Sequence, residues 1–156
     1  MTAESRIRRA VDDDLSTLVS LRFQWNGEDR SQGDVEFDQF STKFAEWHSG
    51  HRQSHVAYLV EWGDRAVGVG WLAVVDRVPG PERFIRRAGT LQGVFVQEAY
   101  RGRGLGGDVV ERMINDAREM GLDYLMVHPS TASFSLYQRW GFQFSEKVLE
   151  LRLVDR

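Results

Sequence analysis

Arg101, Gly102, Arg103, Gly104, Gly106 and Gly107 crowd into one short turn of the stretch VFVQEAYRGRGLGG, residues 94–107. Residue types at this density suit one kind of chemistry, the holding of an anion. Glycines let backbone amides approach a ligand closely and turn without a Cβ penalty, and the amides at a helix start have no partner of their own. Two guanidinium groups add positive charge beside them. Val94, Phe95 and Val96 before the turn read as an apolar strand, and the residues from Leu105 onward have helical spacing.

Several kinds of protein own such a turn. Gly102, Gly104 and Gly107 satisfy GxGxxG, which admits a dinucleotide reader. In that fingerprint, however, the first glycine follows the strand at once and a ribose-binding acid closes the next strand. Here residues 97–101 intervene, and Asp123 precedes the strand expected at Tyr124 to Val127. A Walker loop needs Gly-Lys-Ser or Gly-Lys-Thr, and neither follows. An ordinary surface turn accounts for one glycine but not for four with two arginines.

The order arginine, two residues, glycine, one residue, glycine, at Arg101, Gly104 and Gly106, resembles the acetyl-CoA pyrophosphate loop of the GNAT acyltransferase superfamily. The resemblance continues through Leu125-Met126-Val127, Ser130, Leu136-Tyr137 and Gly141-Phe142, similar to that family's next strand, its loop and the helix with its usual tyrosine. Many members have an asparagine where this chain has Ser130. A hydroxyl replaces one hydrogen bond but not the full donor and acceptor set of an amide.

The elements that must position these residues are legible as periodicity. Arg6 to Ala10 is extended, and Asp12 to Asp14 offer caps for a helix with Leu15, Leu18, Val19, Leu21, Phe23 and Trp25. After Gly27 and Gly33, the spacing of Phe37, Phe40, Phe44 and Trp47 predicts a helix from Val35 to His48, its aromatics packed in the core. Val56 to Glu61 and Ala66 to Val75 read as a hairpin about Gly63-Asp64. Pro79-Gly80-Pro81 marks a long loop before a strand at Leu91 to Val96. The loop helix ends at Gly121, a fitting C-cap. A strand at Tyr124 to His128, a helix at Ala132 to Trp140 and a strand at Lys147 to Val154 complete an α/β sandwich. The resemblance implies a single GNAT-like domain over residues 1–156, a mixed central sheet flanked by helices. It also implies that the strand before the phosphate loop splays from the next one to admit pantetheine, with Val94, Phe95 and Val96 as main-chain contacts.

Composition narrows the rest. The chain has 156 residues, no cysteine and a net charge of -3, which suits one globular domain without disulfides and argues against a general nucleic-acid binder. No apolar run reaches the about 18 residues of a membrane span, and no secretory pattern opens the chain. A cytoplasmic location is the expectation. Histidines 48, 51, 55 and 128 form no ligand-like cluster, so no metal is expected; Gly50 and the strand after it argue against a helical His51 and His55 pair.

By the resemblance, acyl transfer requires an anchored CoA, a polarised carbonyl, a base for the ammonium and an acid for the thiolate. Arg101 to Gly107, including Arg103 and Leu105, would anchor the pyrophosphate, with Ser130 beside it. The amide of Val96 would donate to the thioester oxygen, and Tyr137 would stand beside the sulfur. His128 is the base candidate, since a free imidazole has a pKa of about 6.5; Glu28, Glu98 and a water chain are others. The implied function is transfer of an acetyl group from acetyl-CoA to an amine, either a small amine, an antibiotic or a protein amino group. A non-catalytic acyl-CoA sensor of the same fold is the alternative. The acceptor site is expected from Trp25 to Asp38 and Val75 to Ala88, with Trp25, Glu28 and Asp29 as contacts. The acids between Glu28 and Asp38 suit a cationic acceptor, and a homodimer is compatible with the sequence.

Overall fold

The computed structural model describes residues 4–25 and 35–155. Strand β1 is Ser5–Arg9, followed by helices α1 (Leu15–Trp25) and α2 (Val35–His51). Strands β2 (His55–Trp62), β3 (Arg65–Asp76) and β4 (Arg87–Val96) follow, then α3 (Leu105–Glu119), β5 (Leu125–Val127) and α4 (Phe134–Arg139). The five strands lie in sequence order, antiparallel from β1 to β4, with β5 parallel to β4.

Alternation along the strands divides the core between two faces, because successive side chains point to opposite sides of a sheet. Ala57, Leu59, Val69 and Trp71 meet Leu18 and Leu21 of α1, with Phe44 of α2 against them. Tyr58, Val60, Val67, Leu72 and Leu91 meet Leu105, Val109, Val110 and Met113 of α3 on the other face. A single domain results, one mixed sheet between two helical layers.

Two irregularities in β4 make the site. Opposite β3 the register slips between Val69 and Trp71, which pair with Phe95 and Gln92, so Gly93 and Val94 together face Gly70. This is a β-bulge, and Gly93 adopts φ 59°, which a side chain would oppose. On the opposite edge β5 pairs only with Gly89, Thr90 and Leu91. From Gln92 to Val96 the two strands therefore separate, as the family resemblance implies.

Several boundaries differ from expectation. Helix α2 runs on through Gly50 to His51; an added Cβ at Gly50 would meet nothing within 4 Å, so the glycine is a loss of propensity there, not a break. Strand β4 begins at Arg87 rather than Leu91, because Gly89 donates to the Tyr124 carbonyl and its Cα lies in register with Leu125. Strand β5 stops at Val127, leaving His128 beyond it. The strand expected at Lys147 to Val154 does not form, and Leu149 is 96% exposed. Its alternation of Leu149, Leu151 and Leu153 with Glu150 and Arg152 fixes which face a strand would bury. A strand also needs a hydrogen-bonding edge, and none is paired to this segment.

Candidate functional site

The cleft between the separated strands has a volume of about 680 Å³ and is lined by Val94, Phe95 and Val96 on one side and by Ser130, Ala132, Ser133, Ser135, Leu136 and Arg139 on the other. Tyr100, Arg101, Gly102, Gly104, Leu105, Gly106 and Gly107 close its end, and Trp25 overhangs it from α1. Antiparallel bonding explains why the strand backbone is available. Gln97 donates to the Val67 carbonyl and Phe95 lies opposite Val69, so Val94 and Val96 turn their main-chain groups toward the open side.

The loop has the conformation that its glycines allow. Gly102 and Gly104 have φ of 73° and 81°, and Gly104 caps α3 without a side-chain hydrogen bond. A Cβ at either position would meet nothing within 4 Å, so the space above the loop is clear. Unpaired amides at the start of a 15-residue helix face that space. Arg101 Nε donates to the Val96 carbonyl at 2.9 Å, and its terminal nitrogens bond to none of the described residues. That bond braces the loop against β4 and leaves the charged tip for a ligand. These features fit a CoA pyrophosphate and pantetheine arm.

Not every residue picked from sequence joins the cleft. Arg103 turns aside, with its guanidinium 5.0 Å from the centroid of Trp62 and 5.9 Å from that of Tyr100. Adjacent loop arginines diverge because a tight turn directs successive side chains differently. Ser130 lies on the cleft wall, its hydroxyl 2.9 Å from that of Ser133. Helix α4 presents Leu136 and Arg139 to the cleft but turns Tyr137 toward Phe142, the rings 5.5 Å apart edge to face. Tyr137 is 6% exposed and packs in the cluster holding Leu91, Val96 and Leu105; burial raises its pKa above the ordinary phenol value.

His128 is displaced further. Its side chain is 74% exposed, 3.8 Å from Glu150, and it lines a pocket with Leu125, Met126 and Phe144 rather than the cleft. The early end of β5 leaves His128 beyond the strand, and the structure does not bring this histidine to the cleft. Glu28 and Asp29 lie outside the described residues. Among the described residues, no carboxylate or imidazole lines the cleft, and no group of three or more His, Asp or Glu could hold a metal ion.

Beside the cleft is a pocket of about 380 Å³ lined by Arg22, Trp25, Phe40, Phe44, Trp47, Trp71, Gln92 and Gly93. Helix α1 is held over β4 by Gln97 Nε2, which donates to Gln24 Oε1 at 2.9 Å, so that Trp25 lines both spaces. Arg22 lies 4.4 Å over the Trp25 ring, and burial holds its guanidinium below its ordinary pKa. Helical spacing suggested core aromatics in α2. Phe37 fulfils that role, whereas Phe40, Phe44 and Trp47 also form the pocket wall. Only the approach of α2 to the β4 bulge could reveal this, since a period of helical turns marks a face without saying what it meets.

With this geometry, a family comparison has a specific meaning. Residues 16–142 match the model of the acetyltransferase (GNAT) family, spanning both the loop and the tyrosine helix. The chain belongs to the GNAT acetyltransferase family. Among curated relatives it is 36% identical over 76 residues to glucosamine 6-phosphate N-acetyltransferase 1 of Oryza sativa subsp. japonica, covering 47% of this chain and 46% of that protein. It is 38% identical over 52 residues to an uncharacterised N-acetyltransferase of Dictyostelium discoideum, covering 31% and 24%. The matches thus span less than half of either relative. A crystal structure of a predicted acetyltransferase with acetyl-CoA from Clostridium acetobutylicum superposes with a TM-score of 0.72 at 22% identity, covering 96% of this chain and 97% of that one. At that identity the likeness concerns the fold.

Proposed function

We propose that this protein transfers the acetyl group of acetyl-CoA directly to a primary amine. The observation that carries the reading is the separation of β4 from β5 beyond Leu91, ending at a glycine loop on the start of α3. In this reading the amides from Gly102 to Gly107 and the tip of Arg101 bind the pyrophosphate. Pantetheine bonds to the strand backbone at Val94 and Val96, and Ser130 and Leu136 form the opposite wall. The Val96 amide donates to the thioester oxygen as negative charge develops there.

The amine lone pair forms the new C–N bond, the C–S bond breaks, and sulfur leaves as thiolate. Tyr137, whose ring packs in one cluster with Val96 and Leu105 of the cleft wall, is assigned as the donor that protonates it, and burial further favours its neutral phenol. The acceptor arrives as a cation, attracted by the acids from Glu28 to Asp38, of which Glu36 and Asp38 stand in the first turn of α2. Its ammonium proton is assigned to solvent water, since among the described residues neither pocket wall offers a base.

Release of free thiol from acetyl-CoA across a panel of amines, with acetylated product identified by mass, tests the activity. Acetyl-CoA binding without thiol release from any amine would leave an acyl-CoA sensor instead. With water as the proton acceptor, kcat/KM rises with pH until the amine's own pKa. A plateau above about pH 6.5 would return the role to an imidazole.

A further inference from the structure

The pocket beside the cleft has an unusual wall for a site that must receive an amine. Five aromatic rings from three elements meet there, Trp25 from α1, Phe40, Phe44 and Trp47 from α2, and Trp71 from β3. Phe44 is the hub. Its centroid lies 5.6 Å from Phe40, 5.7 Å from Trp47 and 6.3 Å from Trp71, tilted or edge-on in each pair. These are the separations and angles that aromatic quadrupoles favour.

Gly93 admits the rings to the strand. A Cβ there would stand 3.0 Å from Trp25 Cζ3 and 3.0 Å from Trp71 Cε3, so both indoles rest on bare β4 backbone. The bulge and the pocket floor are therefore the same feature. Along β4 the floor at Gln92 and Gly93 continues into the cleft wall at Val94 to Val96, and Trp25 borders both. At about 3.3 Å per strand residue, Gly93 on the floor is one residue from Val94 at the near end of the cleft wall, a step that a chain of two or three atoms covers.

The polar side-chain groups among the described lining residues are the Arg22 guanidinium, the Gln92 amide and the indole N–H groups of Trp25, Trp47 and Trp71, that of Trp71 buried without a hydrogen-bond partner. A polycation would place its further ammonium groups among apolar rings and beside a guanidinium, without a carboxylate among those residues. A sugar would find one side-chain acceptor among those residues, Gln92 Oε1, so most of its O–H donors would lack a side-chain partner, at about 1–3 kcal/mol each on protein scales. A flat ring brings no polar atom of its own that needs a partner.

Resting on the acetyl-transfer reading above, we infer that the acceptor is an arylalkylamine, with its ring held among Trp25, Phe44, Trp47 and Trp71 and its nitrogen carried by a short alkyl chain to the cleft. The volume of about 380 Å³ lies at the small end of ligand pockets, suited to one or two fused rings. Gln92, at the junction, presents an amide oxygen that can accept a hydrogen bond from the amine and orient it.

Thiol release and calorimetry with 2-phenylethylamine and tryptamine, against n-butylamine, spermidine, glucosamine 6-phosphate and an aminoglycoside, test the inference. We expect kcat/KM for 2-phenylethylamine to exceed that for n-butylamine on the order of tenfold or more, with spermidine and the sugars poorer still. Trp47 is 38% exposed, so its replacement spares the core. Trp47→Ala should raise KM for 2-phenylethylamine about 3- to 10-fold at unchanged acetyl-CoA affinity, and Trp47→Phe should restore most of it. Preference for spermidine, glucosamine 6-phosphate or the aminoglycoside would overturn the inference and leave acetyl transfer standing. Binding of 2-phenylethylamine, weakened by Trp47→Ala, without thiol release from any amine would do the reverse. Failure of both aryl amines to bind or react would overturn it outright.

Discussion

Arg101 and Arg103 are separated by one residue yet do unlike things, the first bonded to the Val96 carbonyl at the cleft, the second stacked on Trp62. Tyr137 shows the same limit of residue type as a guide, since its ring packs in the core while its assigned work is at the sulfur. Tyr137→Phe retains the packing and removes the hydroxyl alone. If the phenol donates to the thiolate, kcat falls about 10²-fold, the low end for general acid catalysis, with acetyl-CoA affinity little changed. Wild-type kcat in that variant, with chemistry shown to limit the rate, would leave Tyr137 as a packing residue. Asp116 is the buried charge among the described residues. Burial pushes its carboxyl up, but Arg9 at 2.7 Å, Tyr58 at 2.9 Å and Arg112 at 3.0 Å outweigh this and hold it below the ordinary carboxylate value. A depressed carboxyl contributes stability that is present above the unfolded pKa of about 3.9 and is lost as pH falls through the lower folded value. Asp116→Asn should therefore destabilise by about 2–3 kcal/mol near neutral pH, below the usual buried-pair loss because Arg9 and Arg112 are partly solvated. Urea titrations between pH 2 and 7 should show a flatter acid limb in the variant; an unchanged limb would assign the acid sensitivity elsewhere.

At the scale of elements, β4 and the first turn of α3 act together, one supplying open backbone and the other unpaired amides. Substitution at Gly104 would confuse ligand loss with strain, because φ there is 81° and a β-branched residue opposes it. Gly106 separates the two effects. It lies inside α3 with helical backbone, and its added Cβ would meet only Leu136 Cδ2, at 3.6 Å. Gly106→Val should keep the fold, since valine has the higher helix propensity of the two, while its branches enter the pyrophosphate position. Calorimetry should find acetyl-CoA affinity reduced at least tenfold with a melting temperature within a few degrees of wild type. Undiminished affinity in the folded variant would place the phosphates elsewhere.

Over the whole molecule, part of the charge among the described residues is structural. Arg77 and Arg83 reach Asp123, and Arg8 holds Asp14 and Glu61, so much of the basic surface is spent on tying loops to the sheet. The acids from Glu28 to Asp38 remain the proposed attraction for a cationic acceptor. Raising salt from 0.01 to 0.1 M shortens the Debye length from about 30 to about 10 Å, and kcat/KM for the best amine should fall severalfold. A flat response, unchanged again by Glu28→Gln with Asp29→Asn, would make these acids solvated surface. The sequence by itself determined the glycine loop, the order of elements through α4 and the two-sided core, because each is written locally: glycines where φ is positive, apolar runs in β2 and β3 that are buried on both faces, helical period in α3. Tertiary structure alone decided the rest. Whether Leu149, Leu151 and Leu153 form a strand depends on a partner edge, whether His128 reaches the cleft depends on where β5 stops pairing with β4, and whether Phe44 and Trp47 serve as core or pocket depends on the bulge at Gly93 that they face. Such outcomes follow from contacts between residues distant in the chain, and local periodicity carries no record of them.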